Sequence, residues 1–318
     1  MTEIILMLIS FVVTAIIATI FIPVLKKKKV GQIVREEGVE EHLKKNGTPT
    51  MGGIFFILSV TIILVTYSIY TKQYLILLPV ISSLCFGIVG FIDDYKKLIL
   101  KNTEGLSAKL KMLGLFIASA VFMLGFIGVF KFGTDIILPV ISQPIVLPLI
   151  VFVLFTIIVL LATTNAVNFT DGIDGLASSV SIIILTFLTL IAIKTQQQEI
   201  AIFGSTLIGG VIAFLMFNRN PAKVFMGDTG SLYLGAAIAI MAIILKLPLY
   251  LILIAFIPLI EVVSVILQVT YFKATKGKRL FKMAPIHHHF ELCGWSEKKV
   301  VTVFCIITLI MCIISYMI

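Results

Sequence analysis

Charge is what this chain has least of. Asp, Glu, Lys and Arg make up 13% of its 318 residues, about half the roughly 25% of a soluble domain. Apolar residues make up 59%, and the mean hydropathy is +1.15. A water-soluble globular fold is excluded, and the chain reads as a polytopic membrane protein. Cysteine is scarce too. Cys85, Cys293, Cys305 and Cys312 have no paired spacing and three of them lie in apolar runs. That excludes a disulfide or zinc framework and leaves packing residues. The first apolar run, 4–25, also does not read as a cleavable leader. It is too long for one, Glu3 precedes it, Lys26 to Lys29 follow it, and no small-residue cleavage site ends it. It reads as a retained helix with its N-terminus outside. No internal repeat and no separate soluble domain is visible.

What is present is length. About 20 apolar residues cross a bilayer, and that measure predicts ten spans, near 4–25, 52–71, 74–92, 110–130, 147–164, 176–194, 200–217, 231–246, 249–272 and 299–318. The links alternate. One set is polar (26–51, 93–109, 165–175, 218–230, 273–298) and the other mostly short (72–73, 131–146, 195–199, 247–248). Of the 25 basic residues, all but Lys72, Lys131, Lys194 and Lys246 fall in or beside the polar set. The excess of Lys and Arg on cytoplasmic loops then puts the polar links inside and both termini outside. The fold class is an all-α polytopic integral membrane protein with a cleft on the cytoplasmic face. The link 131–146 reads as either a small external hairpin or an irregular loop, and carries no chemistry.

Five of the six aspartates, Asp93, Asp94, Asp171, Asp174 and Asp228, lie on the cytoplasmic side. Carboxylates grouped at a membrane surface among lysines suit Mg²⁺ and phosphate: Mg²⁺ takes one or two carboxylates and completes its shell with water and phosphate oxygens. The stretch NAVNFTDGIDG, from Asn165 to Gly175, holds two amides and two carboxylates, each pair three residues apart and so on one face of a helical turn. Ionisable groups beside hydrocarbon are costly and mark function; the plainer reading is a polar loop between spans. Asp93 and Asp94, in GFIDDYKK, repel each other unless a cation or proton separates them. The alternative is a solvated turn with ion pairs to Lys96 and Lys97.

Asp228 in FMGDTGS precedes the eighth span and can be a helix N-cap, a position that also offers N–H groups to phosphate. Phe225, three residues earlier, is a membrane-surface anchor or a platform for a base. His287, His288 and His289 are consecutive, so on a helix they point about 100° apart and cannot easily chelate one ion; bonding to phosphate or sugar suits them better. GTPTMGG (Gly47–Gly53) opens the second span as a helix entry with Lys44 and Lys45 upstream. Glu261, inside the ninth span, reads as a helix–helix hydrogen-bonding group.

Taken together, TPTMGG, DDYKK, NAVNFTDGIDGLA, FMGDTGS and MAPIHHHFELCGW resemble the phospho-N-acetylmuramoyl-pentapeptide transferases. These form the bacterial branch of the polyprenyl-phosphate N-acetylhexosamine-1-phosphate transferases. The resemblance spans nearly the whole chain, and MAPIHHHFE points to the muramoyl-pentapeptide branch. Departures are small: Phe169 and Ile173 stand where leucine is common, and Cys293 where lysine is common.

The resemblance implies a single transmembrane catalytic domain over 1–318 that moves phospho-MurNAc-pentapeptide from UDP to undecaprenyl phosphate, giving lipid I and UMP, with Mg²⁺. It implies Asp228 as leading metal ligand, with Asp93 and Asp94 close to metal and acceptor phosphate, and Lys97 and His288 in the catalytic set. Asp171, Asp174, Asn168 and Phe225 map to the uridine side. Lys45, Thr50, Lys101, Lys109, Asn165, Asn218, Gln268, His287 and His289 would line the phosphate and sugar region. The implied partners are UDP-MurNAc-pentapeptide, undecaprenyl phosphate and the lipid bilayer of the bacterial inner membrane; no nucleic acid is expected, and a homodimer is compatible. Direct attack of the lipid phosphate is favoured over a covalent phospho-sugar on a carboxylate. The rival within the superfamily is a GlcNAc-1-phosphate transferase. A transporter is disfavoured, because its charges would sit at broken helices near the midplane.

Overall fold

The computed structural model describes residues 1–27, 47–100, 105–139 and 143–318. Its helices are α1 (Thr2–Lys27), α2 (Gly53–Thr71), α3 (Leu77–Leu100), α4 (Ala108–Met123), α5 (Leu149–Thr170), α6 (Leu176–Lys194), α7 (Gln198–Asn218) and α8 (Gly227–Ile244). They continue with α9 (Leu251–Ile254), α10 (Phe256–Ala274), α11 (Ile286–Leu292) and α12 (Glu297–Met317). A π-helical turn, Leu124–Val129, extends α4. Among the described residues, 10 helices are long and apolar enough to cross a membrane, as the run lengths predict.

Helix α8 is the axis of the bundle. Every residue from Thr229 to Ile244 is buried, against α2, α3, α5 and α6. Gly230, Ser231, Gly235, Ala236, Ala237, Ala239 and Ala242 keep its surface low. In lipid, where apolar side chains gain little from meeting each other, such small residues let backbones approach and pack. The closest approach fixes the site. A Cβ on Gly90 of α3 would stand 2.2 Å from the Asp228 carbonyl oxygen, so only glycine lets α3 cross the first turn of α8 there. Asp93 and Asp94 follow by one turn and are delivered to the N-terminus of α8.

The outer helices bury only a stripe. On α1 it is Leu6, Ser10, Thr14, Ala18 and Ile22, one residue per turn, while Leu8, Val12, Ile16 and Ile20 are exposed. Helices α4 and α12 likewise turn Phe116, Ile117, Leu309 and Ile313 outward. Apolar faces of this extent belong in a bilayer.

Several boundaries differ from those read off hydropathy, and α5 runs to Thr170 rather than 164, so Asn165 and Asn168 are helical. Helix α3 runs to Leu100 rather than 92, because Lys97 pairs with Asp93 one turn back at 2.6 Å and keeps the polar turn helical. Helix α8 starts at Gly227 rather than 231, since its first N–H groups find acceptors on Asp94. The expected span 249–272 is broken at Ala255; Pro258, at the third position of α10, has no N–H to give and fits a first turn.

The link 131–146 is a hairpin. β1 (Asp135–Ile137) pairs antiparallel with β2 (Pro144–Val146), Asp135 opposite Val146. Asp135 forms an ion pair with Lys246 at 2.5 Å, and the Ile137 N–H donates to the Lys246 carbonyl at 2.8 Å. The sixth aspartate therefore sits just past the C-terminal end of α8, opposite Asp228. The four cysteines are free.

Candidate active site

Asp93, Asp94 and Asp228 converge at the N-terminus of α8, with one ligand oxygen of each within 4.8 Å of the others. The three are not equivalent. Asp94 accepts the Asp228 N–H at 3.1 Å, the Thr229 N–H at 2.9 Å and the Thr229 hydroxyl at 2.7 Å. It is the N-terminal cap of α8, supplied by another helix. Asp93 accepts the Leu106 N–H at 2.8 Å through Oδ1, while its Oδ2 faces Lys97. Asp228 carries the densest network. Lys97 Nζ lies 3.1 Å and Lys111 Nζ 2.9 Å from its Oδ2, and the Asn168 amide donates to Oδ1 at 3.0 Å. Asn168 also accepts from Lys111 at 3.3 Å and donates to Ser231 at 2.8 Å.

Three carboxylates against two ammonium groups leave the cluster short of positive charge. Its donors are all hard oxygens, each carboxylate being held by N–H, O–H or ammonium groups. That set suits an oxygen-preferring divalent cation. All three carboxylates are placed so that they could hold it; Asp94 also caps α8 through both of its oxygens.

Asp171 lies just beyond α5. Burial raises its carboxyl well above the usual carboxylate range, and the charges of Asp228, Asp94 and Asp174 push the same way.

Other expected site residues fall into two groups. Some brace the loops around the cluster. Asp174 accepts the Ala222 N–H at 2.9 Å and the Asn220 amide at 3.3 Å; Asn220 also donates to Glu297 at 3.0 Å. Asn218 accepts from Ser178 at 3.0 Å and donates to the Val224 carbonyl at 3.1 Å. Gln268 accepts the Leu280 and Phe281 N–H groups at 3.1 and 2.8 Å. His289 accepts the Lys282 N–H at 3.2 Å and packs edge-on to Phe281. The entry GTPTMGG pairs its backbone with the FMGD loop: Phe225 donates to Pro49, Gly52 to Phe225 and Gly53 to Met226. Thr50 is buried beneath that pairing, and Phe225 is half-buried.

The rest have other partners or face solvent. Asn165 donates back to Leu161 at 2.7 Å along its own helix, Lys109 is exposed, and His288 meets Glu291 at 2.8 Å. Asn168, expected on the uridine side, bonds Asp228. Lys45 and Lys101 lie outside the described residues, as do four of the orientation-setting cations, Lys28, Lys29, Arg35 and Lys44.

Sequence reasoning missed Lys111, which it counted only toward orientation. The signal was there: Lys111 lies four residues before Leu115, seven before Ala118 and eleven before Phe122, all buried, so helical periodicity turns it inward and Lys109 outward. Thr229, Ser231 and Asn220 left no such mark.

Comparison with known proteins bears on this geometry. Residues 75–246, which carry all five aspartates of the cluster and its surrounding loops, match the family described as glycosyl transferase family 4. Residues 45–57 match signature 1 of the phospho-N-acetylmuramoyl-pentapeptide transferases. Proteins of that name from Clostridium botulinum (strain Alaska E43 / Type E3) and Clostridium beijerinckii are 48% and 49% identical over 312 residues, covering 98% of this chain and 94% of the relative. One from Carboxydothermus hydrogenoformans is 46% identical over 315 residues, 97% of this chain and 96% of its own. The chain belongs to the phospho-N-acetylmuramoyl-pentapeptide transferases. In this transferase the described part of the signature segment, from Gly47, pairs its backbone with the FMGD loop and opens α2, and the longer match contains α3 and α8, whose crossing builds the carboxylate cluster.

Proposed function

We propose that this chain moves phospho-MurNAc-pentapeptide from UDP-MurNAc-pentapeptide to undecaprenyl phosphate, giving lipid I and UMP. That is the first membrane step of peptidoglycan synthesis, on which cell-wall growth, shape and division depend. The observation that carries the reading is the meeting of Asp93, Asp94 and Asp228 with Lys97 and Lys111 at one end of the apolar helices. A lipid phosphate lies at the bilayer surface and a nucleotide sugar arrives from water, so their reacting oxygens meet at such an end. Residues 1–318 act as a single transmembrane catalytic domain in the bacterial plasma (inner) membrane, both termini outside and the acidic end in the cytoplasm. The distribution of Lys and Arg supports that orientation.

Mg²⁺, held by Asp228 and Asp93, would offset negative charge on the donor diphosphate. Asp94 fixes the turn that carries Asp228, and Lys111 and Asn168 orient the Asp228 carboxylate. Lys97 bridges Asp93 and Asp228 and lies where phosphate charge collects, with Lys45, Lys101 and Lys109 as further phosphate partners. A phosphate monoester with a second pKa near 6 is mostly dianionic at neutral pH. The acceptor therefore attacks the donor's β-phosphorus directly, and Asp93 Oδ2 takes any remaining proton. Positioning and charge neutralisation supply most of the rate. Asp171 and Phe225 border the uridine, braced by Asp174 and Asn218. Thr50, Asn165, Gln268 and His287 to His289 surround the sugar and phosphates.

The test is turnover of the purified protein with Mg²⁺, a polyprenyl phosphate and either UDP-MurNAc-pentapeptide or UDP-GlcNAc, following UMP and lipid product. A site built to bond a substrate group rejects a donor lacking it strongly. Transfer from the muramoyl donor alone is expected; comparable rates with UDP-GlcNAc would move the enzyme to the sister branch.

A further inference from the structure

We infer that Glu261 is a positioning residue of the transfer site and acts through His287. The inference rests on the donor site proposed above. Glu261 sits in α10, inside a span, with 0% exposure. An acid inside a span is costly unless it has a partner. Its partner is the equally buried His287 of α11, with Nδ1 at 3.0 Å from Oε2. The His287 backbone N–H points to the same oxygen at 3.5 Å. An ionised carboxylate only accepts, so the Nδ1 proton is directed at Glu261, and Nε2 is left as the ring's working atom.

That atom has a defined direction. Among the described residues, His287 Nε2 and Glu261 Oε1 are buried without a hydrogen-bond partner. A Cβ on Gly172 would stand 2.2 Å from Nε2, so the ring presses on the turn between Asp171 and Asp174, and only glycine admits it. A buried unpaired ring nitrogen is costly. The arrangement holds it ready for a polar group of the nucleotide-sugar donor, a phosphate oxygen or a sugar hydroxyl. A carboxylate behind a histidine fixes its tautomer and ring orientation, an effect worth about 10–100-fold where it has been removed behind metal-binding histidines.

The experiment combines Glu261→Gln, Glu261→Leu, His287→Ala and the Glu261→Leu/His287→Ala double variant in the full-length protein. Turnover, UMP binding and the ¹⁵N resonances of the histidine rings are measured for each. Glu261→Gln keeps an acceptor for Nδ1–H and should hold turnover within about threefold. Glu261→Leu and His287→Ala should each lose about 10–100-fold, and the double variant no more than the worse single one. The His287 ring should show one Nδ1–H form in the parent and a changed nitrogen spectrum in Glu261→Leu. Losses that multiply in the double variant, or an unchanged His287 spectrum in Glu261→Leu, would overturn the inference. Should the parent fail to transfer from UDP-MurNAc-pentapeptide, the functional reading falls, and the ring spectra and UMP binding still decide whether Glu261 orders His287.

Discussion

Asp94 of one helix caps another: its Oδ2 takes both the N–H and the hydroxyl of Thr229, at 2.9 and 2.7 Å, across 135 residues of sequence. The position of Asp228 depends on that cap. Asp94→Ala strands two buried N–H groups at about 1–3 kcal/mol each and should lower thermal stability in detergent by several degrees, with turnover falling alongside. Asp94→Asn keeps an acceptor and should retain most of the stability. An Asp94→Ala protein melting with the parent would show that the cap is not needed.

Lys111 is the second prediction. Its ammonium is mostly buried against Asp228, and breaking a buried pair from one side is costly because the other charge is left uncompensated. Lys111→Met should cut kcat/KM by about 2–3 kcal/mol, or roughly 30–150-fold. Lys111→Arg, which keeps the charge with a different fork, should lose less. Equal losses in the two variants would show that the charge is not what matters.

Much of this arrangement was legible in the chain and part of it was not. Ten apolar runs and the one-sidedness of five aspartates followed from length and charge alone, because a bilayer imposes both. Asp93, Asp94 and Asp228 could be named, but not told apart. Asp94 is a cap because Gly90 lets α3 cross the first turn of α8, and such a contact between distant segments leaves no periodic trace. Asp174 and Asn218 carried the right chemistry for a cleft and are spent on bracing residues 220–224. Glu261 gained a task only when folding set His287 against it.

Asp171 makes stability depend on pH. Its folded-state carboxyl is raised by burial and by neighbouring negative charge, above an unfolded value of about 3.9. The stabilisation from its protonated form is complete below about pH 4 and is lost as pH rises through the folded value. In metal-free protein, Asp171→Asn should therefore melt progressively higher than the parent as pH increases from 4. A difference independent of pH would remove the charge from the explanation.

Orientation can be read at Cys293, which is exposed in a loop with five lysines and an arginine between Lys273 and Lys298. A membrane-impermeant thiol reagent on intact cells should leave it unlabelled, while control cysteines on the outer face react. Labelling of Cys293 would invert the topology.

The central claim is that Asp228 holds the cation on which transfer depends, and turnover of Asp228→Asn tests it most directly. UMP release from UDP-MurNAc-pentapeptide is followed at saturating Mg²⁺, with folding checked by thermal melting. Loss of a metal-bound carboxylate removes several kcal/mol of charge stabilisation, so the rate should fall by about a thousandfold in a protein that melts within a few degrees of the parent. Near-normal turnover would contradict the account and leave Asp228 as no more than an acid in the first turn of α8.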